Sequence, residues 1–188
     1  MIVALEAAEQ ETGSRQQTRL RVLSYLNLEK LLTTEGVTWL DRELASKSPA
    51  SVRDQGFGSD VKSALRNRMQ WLTERGMIEQ APDGVVRPTG AAMRALTRNE
   101  VNHTLANHSA TSGLQAAQLM DGERFEGDYT KPISLASGKY AVFENSKEFT
   151  LVPWRPSFED VRGKEVTGKV TGSTIAWELA GRTKGLGI

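Results

Sequence analysis

The side chains that make and break bonds are few in this sequence, and their spacing does not assemble them. His103 and His108 stand five residues apart, which misses the i, i+4 spacing of a helical metal pair, and no third ligand lies near them in the chain. They read as a solvated helix face, with no metal. The absence of cysteine removes thiol catalysis, cysteine-ligated zinc and disulfide scaffolds together. No G-x-S-x-G elbow is present, and G-x-G occurs only as Gly56-Phe57-Gly58 and in the closing G-L-G, so neither a serine nucleophile nor a phosphate-cradling loop is signalled. Asp41 with Glu43, and Glu159 with Asp160, sit where helix starts place carboxylates, which is their simpler role. The expectation is a chain without catalytic residues or cofactor, and not an enzyme.

The remaining candidates are groups that hold a partner. Lys62 and Arg66 are four apart on the polar side of the strongest helical pattern, and Arg87 follows an Ala-Pro-Asp-Gly turn, where it would mark the tip of a wing. Such cations suit phosphates or a groove, and an ordinary solvated helix face explains them equally well. Trp154 and Arg155 lie between Pro153 and Pro156, whose fixed backbone holds a flat aromatic and a cation at a strand exit. With Tyr140, Phe143, Lys139 and Lys147 they would offer stacking and phosphate contacts. The simpler role of Trp154 is to plug one end of a barrel, and Phe149 and Trp177 read as core.

The elements that must position these groups divide by periodicity. Residues 1–18 read as a frayed helix and a flexible linker. From Leu20 to Leu32 strand and helix patterns compete, and a hairpin through Thr33-Thr34-Glu35-Gly36 into Val37 is one outcome. Thr38 with Asp41 has the form of a capping box opening a short helix that ends near Ser46. Ser59 would cap a helix from Asp60 to Arg75 stopped by Gly76, with Val61, Ala64, Leu65, Met69, Trp71 and Leu72 on one face. Arg68 falls inside that apolar face, so it must snorkel or find a carboxylate. A small hairpin over 77–87 completes the outline of a winged helix, and a helix from about Ala91 to His108 follows. Beyond Gly113–Gly122 the pattern turns to short strands. The expected fold is α+β: a helical, winged-helix-like module over 19–112, a small SH3-like or OB-like β-barrel over 113–180, and a basic tail over 181–188.

Composition bounds the partners. A net charge of +1, from 24 basic and 23 acidic residues, gives no global field, so local patches must carry any nucleic-acid contact. No stretch approaches the roughly 20 apolar residues that span a bilayer, and the start M-I-V-A-L-E-A-A-E-Q-E has no basic signal region. A cytoplasmic location without membrane insertion is expected.

Several segments carry a resemblance. T-W-L-D-R at 38–42, D-Q-G-F-G at 54–58, L-A-S-G-K-Y-A at 135–141, E-F-T-L-V-P-W-R-P at 148–156 and W-E-L at 177–179 resemble the C-terminal region of VirD-type relaxase/mobilization nucleases, in order from about Arg19 to Ile188. Such relaxases nick DNA with an N-terminal tyrosine and a metal on a His-hydrophobic-His strand. Neither feature matches here, and Tyr25, Tyr129 and Tyr140 lie in segments unlike the nuclease, so nicking is not implied. The resemblance implies a part in conjugative plasmid transfer. DNA is the expected partner, held through Lys62, Arg66, Arg87, Trp154 and Arg155. The alternatives are a docking or secretion-signal module for relaxosome or type IV coupling proteins, using the basic tail, or a stand-alone relaxase-derived fragment that regulates another protein.

Overall fold

The computed structural model describes residues 2–7, 18–24, 26–117, 119–171 and 174–178. They fall into two compact units, Met1–Glu100 and Val101–Ile188. No helix among the described residues is long and apolar enough to cross a membrane.

The first unit begins with two antiparallel strands, β1 (Ile2–Ala7) and β2 (Thr18–Ser24). The first of these corrects the helix expected at the N-terminus. Ile2 and Val3 favour extended backbone, and Thr18–Ser24 supplies a second alternating segment whose N–H and C=O groups complete the ladder. The linker expected around them lies outside the described residues. The hairpin into Val37 also gives way. Asn27 accepts the Lys30 N–H at 2.9 Å and so starts a helix, α1 (Leu28–Thr33).

Next comes α2 (Trp39–Ala45), opened by the expected capping box. The Thr38 N–H and hydroxyl donate to Asp41 Oδ2 at 2.6 and 2.7 Å, and the Asp41 N–H returns to Thr38 Oγ1 at 3.3 Å. The longest helix lying wholly within this unit, α3 (Phe57–Thr73), starts one turn earlier than Ser59 suggests. Gly56, with φ 56° and ψ −137°, makes the entry that a side chain disfavours. A Cβ on Gly58 would stand 2.2 Å from the carbonyl oxygen of Arg53, so the chain approaches too closely for any larger residue. Val61, Ala64 and Leu72 are buried, as the 3.6-residue period requires. The hairpin of β3 (Ile78–Gln80) and β4 (Val86–Pro88) follows, and α4 (Gly90–Ser112) starts in this unit. Two clusters form its core: Leu31, Leu40 and Ala64, and Val37, Leu72 and Leu96.

The second unit is built on a six-stranded sheet. Its strands are β5 (Gln115–Ala116), β6 (Arg124–Ser134), β7 (Lys139–Glu144), β8 (Glu148–Pro153), β9 (Glu165–Thr171) and β10 (Thr174–Glu178), in the order β10-β9-β6-β7-β8-β5. All pairs are antiparallel except β5 with β8. The sheet is open among the described residues, which corrects the expected barrel. Closure would need the two outermost strands to pair with each other, and β10 and β5 do not. The segments R-F-E-G-D-Y and P-I-S-L are one strand rather than two. Its first half pairs β9 and its second half β7, with a bulge between Tyr129 and Lys131. Gly127 sits at this bend because a Cβ would lie 2.7 Å from both the Glu144 carbonyl and the Phe125 ring. Phe125, Tyr129, Ala141, Phe143, Val152 and Val166 make the core, closed by Phe158 from a 3-10 turn at Pro156–Val161.

Candidate functional site

The outward side of α3 is the first candidate surface. Between Val61 and Thr73 the helix contains no carboxylate, and Arg66, Asn67, Gln70 and Thr73 are exposed on it with Lys62 and Ser63 half-buried. One turn separates Lys62 from Arg66, so both cations share this side. Arg66 Nη2 donates to Ser63 Oγ at 3.0 Å, and no carboxylate pairs with it among the described residues. Lys62 is different: its Nζ pairs with the carboxylate of Asp54, an almost fully exposed residue in the turn before the helix.

What holds α3 in place is Arg68, wholly buried against α2 and the turn before it. Nε and Nη2 donate to the two carboxylate oxygens of Asp41 at 2.7 and 2.9 Å. Nη1 reaches the carbonyls of Leu32 (3.0 Å) and Thr34 (2.9 Å), and Nη2 that of Gly36 (3.2 Å). All five N–H donors are therefore filled, which is the condition under which a buried guanidinium is tolerated. Its planar group also faces the ring of Trp71 at 4.1 Å, and Arg75 faces the same ring at 3.8 Å.

The hairpin differs from a cationic wing. Arg87 is only 16% exposed, and its Nη1 donates to Asp83 Oδ1 at 2.8 Å, while Asp83 is 53% exposed. The hydrogen bond from Arg87, followed by that from the Val85 N–H, holds the Asp83 carboxyl below the usual aspartate range; the same bond raises Arg87. Arg87 Nε is buried with no partner among the described residues. At the tip, what faces solvent is a carboxylate with Val85 and Val86.

In the second unit, Trp154 leaves β8 half-buried and packs on the core. Its indole N–H is shared between Glu159 Oε1 at 3.1 Å and the hydroxyl of Tyr129 at 3.2 Å, and that hydroxyl donates to the same carboxylate oxygen at 3.0 Å. Arg162 Nη2 lies 3.0 Å from Glu159 Oε2. Lys139 Nζ stands 3.4 Å from the centre of the Trp154 ring, so a cation already covers one face of it. Desolvation works to raise the Glu159 carboxyl, but the Tyr129 and Trp154 donors with the Arg162 and Lys139 charges outweigh it, and the net direction is down. The Tyr129 hydrogen bond, then the Glu159 charge, raises Arg162. Arg155 is exposed, and no hydrogen bond or ion pair holds its side chain among the described residues.

The structure thus joins Trp154 to Tyr129, Glu159, Arg162 and Lys139, a set the sequence does not assemble because its members are spread over β6, β7, the 3-10 turn and its exit. Lys62 and Arg66 come together in the first unit. Of the other aromatics weighed for stacking, Phe143 and Phe149 are buried, and Tyr140 is half-buried with its hydroxyl 3.4 Å from Ser137 Oγ. The side chain of Trp177 and the basic tail lie outside the described residues. The histidines separate: His103 is exposed, whereas His108 is 10% exposed, pairs with Glu144 at 2.7 Å and meets Phe149 edge-on at 4.4 Å. His108 is therefore not on a solvated face, since the helix end carrying it packs against β7 and β8. No group of three metal-ligating residues occurs among the described residues. The carboxylates that pair with Lys62 and Arg87, Asp54 and Asp83, lie in turns, where no local periodicity sets them apart in the sequence.

A family model described as "Protein of unknown function (DUF3363)" matches residues 4–187. No curated protein and no solved structure matches the chain.

Proposed function

The chain belongs to the DUF3363 family, and we propose that it is a non-catalytic nucleic-acid-associated module that holds DNA through the outward side of α3. The observation that carries this reading is the make-up of that side: Lys62, Ser63, Arg66, Asn67, Gln70 and Thr73, with no carboxylate within the span. These are the side-chain types that contact phosphates and base edges. The element order α1–α2–α3 followed by the β3–β4 hairpin supports a winged-helix-like reading, in which α3 would be the helix presented to DNA. In the second unit, exposed Arg155 and the open edge of Trp154 would add a backbone contact and a stacking surface. Arg87 contributes to the hairpin's structure rather than to contact, because its guanidinium is largely buried on Asp83. The segments that resemble VirD-type relaxases favour conjugative DNA mobilisation as the setting, in the company of relaxosome or type IV coupling proteins.

A salt titration of binding to short single- and double-stranded DNA tests the proposal. The expected result is binding at low salt whose log–log slope falls by roughly 0.9 for each of Lys62→Gln and Arg66→Gln on duplex, and roughly 0.7 on single strand. Binding indifferent to both substitutions would remove α3 from the interface. Absence of binding to either form would leave a second reading, docking of a protein partner. The exposed Phe57 (56%) and Val85 (50%) favour that one.

A further inference from the structure

We infer that Asp54 acts as a built-in counter-ion for the α3 surface, occupying Lys62 where a phosphate would, so that the chain's affinity for nucleic acid is held below what its cations alone would give. This rests on the proposed binding reading and specifies how the same surface is regulated. Asp54 lies in the turn before α3 and is 84% exposed, so no packing requirement places a carboxylate there. It nevertheless reaches eight residues along the chain to the one lysine of the helix. The hairpin repeats the arrangement independently. Asp83, 53% exposed, holds Arg87 of the hairpin that follows. In both places an exposed aspartate from a turn caps a cation of a neighbouring element.

The physical consequence is an exchange. For Lys62 to meet a phosphate it must leave Asp54, and the released carboxylate then stands beside the polyanion. Exposed ion pairs are weak, so this exchange is reversible and tunes binding without abolishing it. It also makes the surface selective for dense negative charge: a single anion does no better than Asp54, whereas a chain of phosphates engages Arg66 at the same time and compensates the exchange. A nucleic-acid backbone has that density and an isolated phosphate does not.

The test is a cycle on the full chain with a fluorescein-labelled DNA duplex and the corresponding single strand. Asp54→Asn is expected to tighten binding about two- to fivefold, the range set by an exposed ion pair, and to steepen the salt slope by up to about 0.9. In the Lys62→Gln background the same substitution should give a clearly smaller gain, because only the carboxylate's general repulsion of the polyanion is then removed and no cation is freed. Glu29→Gln, which removes an exposed charge from α1, is the control for net charge alone. A gain undiminished without Lys62, or one that Glu29→Gln reproduces in full, overturns the inference and leaves the binding reading intact. Unchanged affinity in Asp54→Asn overturns it as well. Binding by Asp54→Asn alone, with none by the wild type, would support the counter-ion strongly. If neither protein binds, the binding reading and the inference fall together.

Discussion

Glu159 illustrates how one side chain organises its surroundings while remaining at the surface. Its carboxylate gathers an indole N–H, a phenol and a guanidinium, and thereby fixes the proline-bracketed Trp154 to the buried Tyr129. The linkage has a definite sign. A carboxyl whose folded value lies below its unfolded one adds stability that is present above the ordinary glutamate range and is lost as pH falls through the depressed value. Glu159 is in that class. The melting temperature of the wild type should therefore exceed that of Glu159→Gln near neutrality, with the gap narrowing as pH drops through and below the ordinary glutamate range. Parallel melting curves across that interval would show that the carboxylate's charge is not what ties the strand exit down. At this scale the sequence was readable where a conflict existed: Arg68 inside an apolar stripe demands a carboxylate, and Asp41 supplies it. It was silent on Glu159, since nothing local sets an exposed glutamate in a short 3-10 turn apart from any other.

Helix α3 depends on two glycines that do different things. Gly56 supplies a backbone conformation with positive φ at the helix entry, and Gly58 supplies room for the Arg53 carbonyl. Because the atom that a new Cβ would meet at position 58 belongs to the backbone, no rotamer change relieves the clash. Gly58→Ala should lower the urea midpoint by an amount equivalent to about 1–3 kcal/mol, the usual cost of overpacking. An unchanged midpoint would mean that the 53–58 turn shifts freely and that the close approach has no energetic weight. Elements with strong internal signals are legible: the Thr38–Asp41 box and the apolar stripe of α3. Those that depend on a distant partner are not. Ile2–Ala7 is a strand because Thr18–Ser24 pairs with it, and β6 is one bent strand because β9 and β7 claim its two halves. Local propensity carries neither fact.

On the scale of the whole chain, each unit has its own buried clusters, and this is where the reading of two modules met its limit. Alternating strands announce a second unit, but whether six strands close or stay open depends on whether the two outermost strands meet, and one of them, β5, is a two-residue strand that leaves almost no trace in sequence. The separation of cores has a measurable outcome. Arg68 and every group it touches, from Leu32 to Trp71, belong to Met1–Glu100, whereas Phe125, Tyr129, Phe143 and Phe158 pack within Val101–Ile188. Arg68→Ala would leave the buried Asp41 carboxylate without its guanidinium, a loss of about 3–5 kcal/mol. That energy is taken from the cooperative unit that contains the pair. Hydrogen exchange should then show peptides covering 28–72 losing most of their protection in Arg68→Ala, while those covering 124–153 keep theirs. Equal loss across both spans would mean that the two units unfold as one and that the division of the core has no thermodynamic meaning. Retained protection in 28–72 would mean instead that the five-donor clip around Arg68 is not what holds α3 against α2.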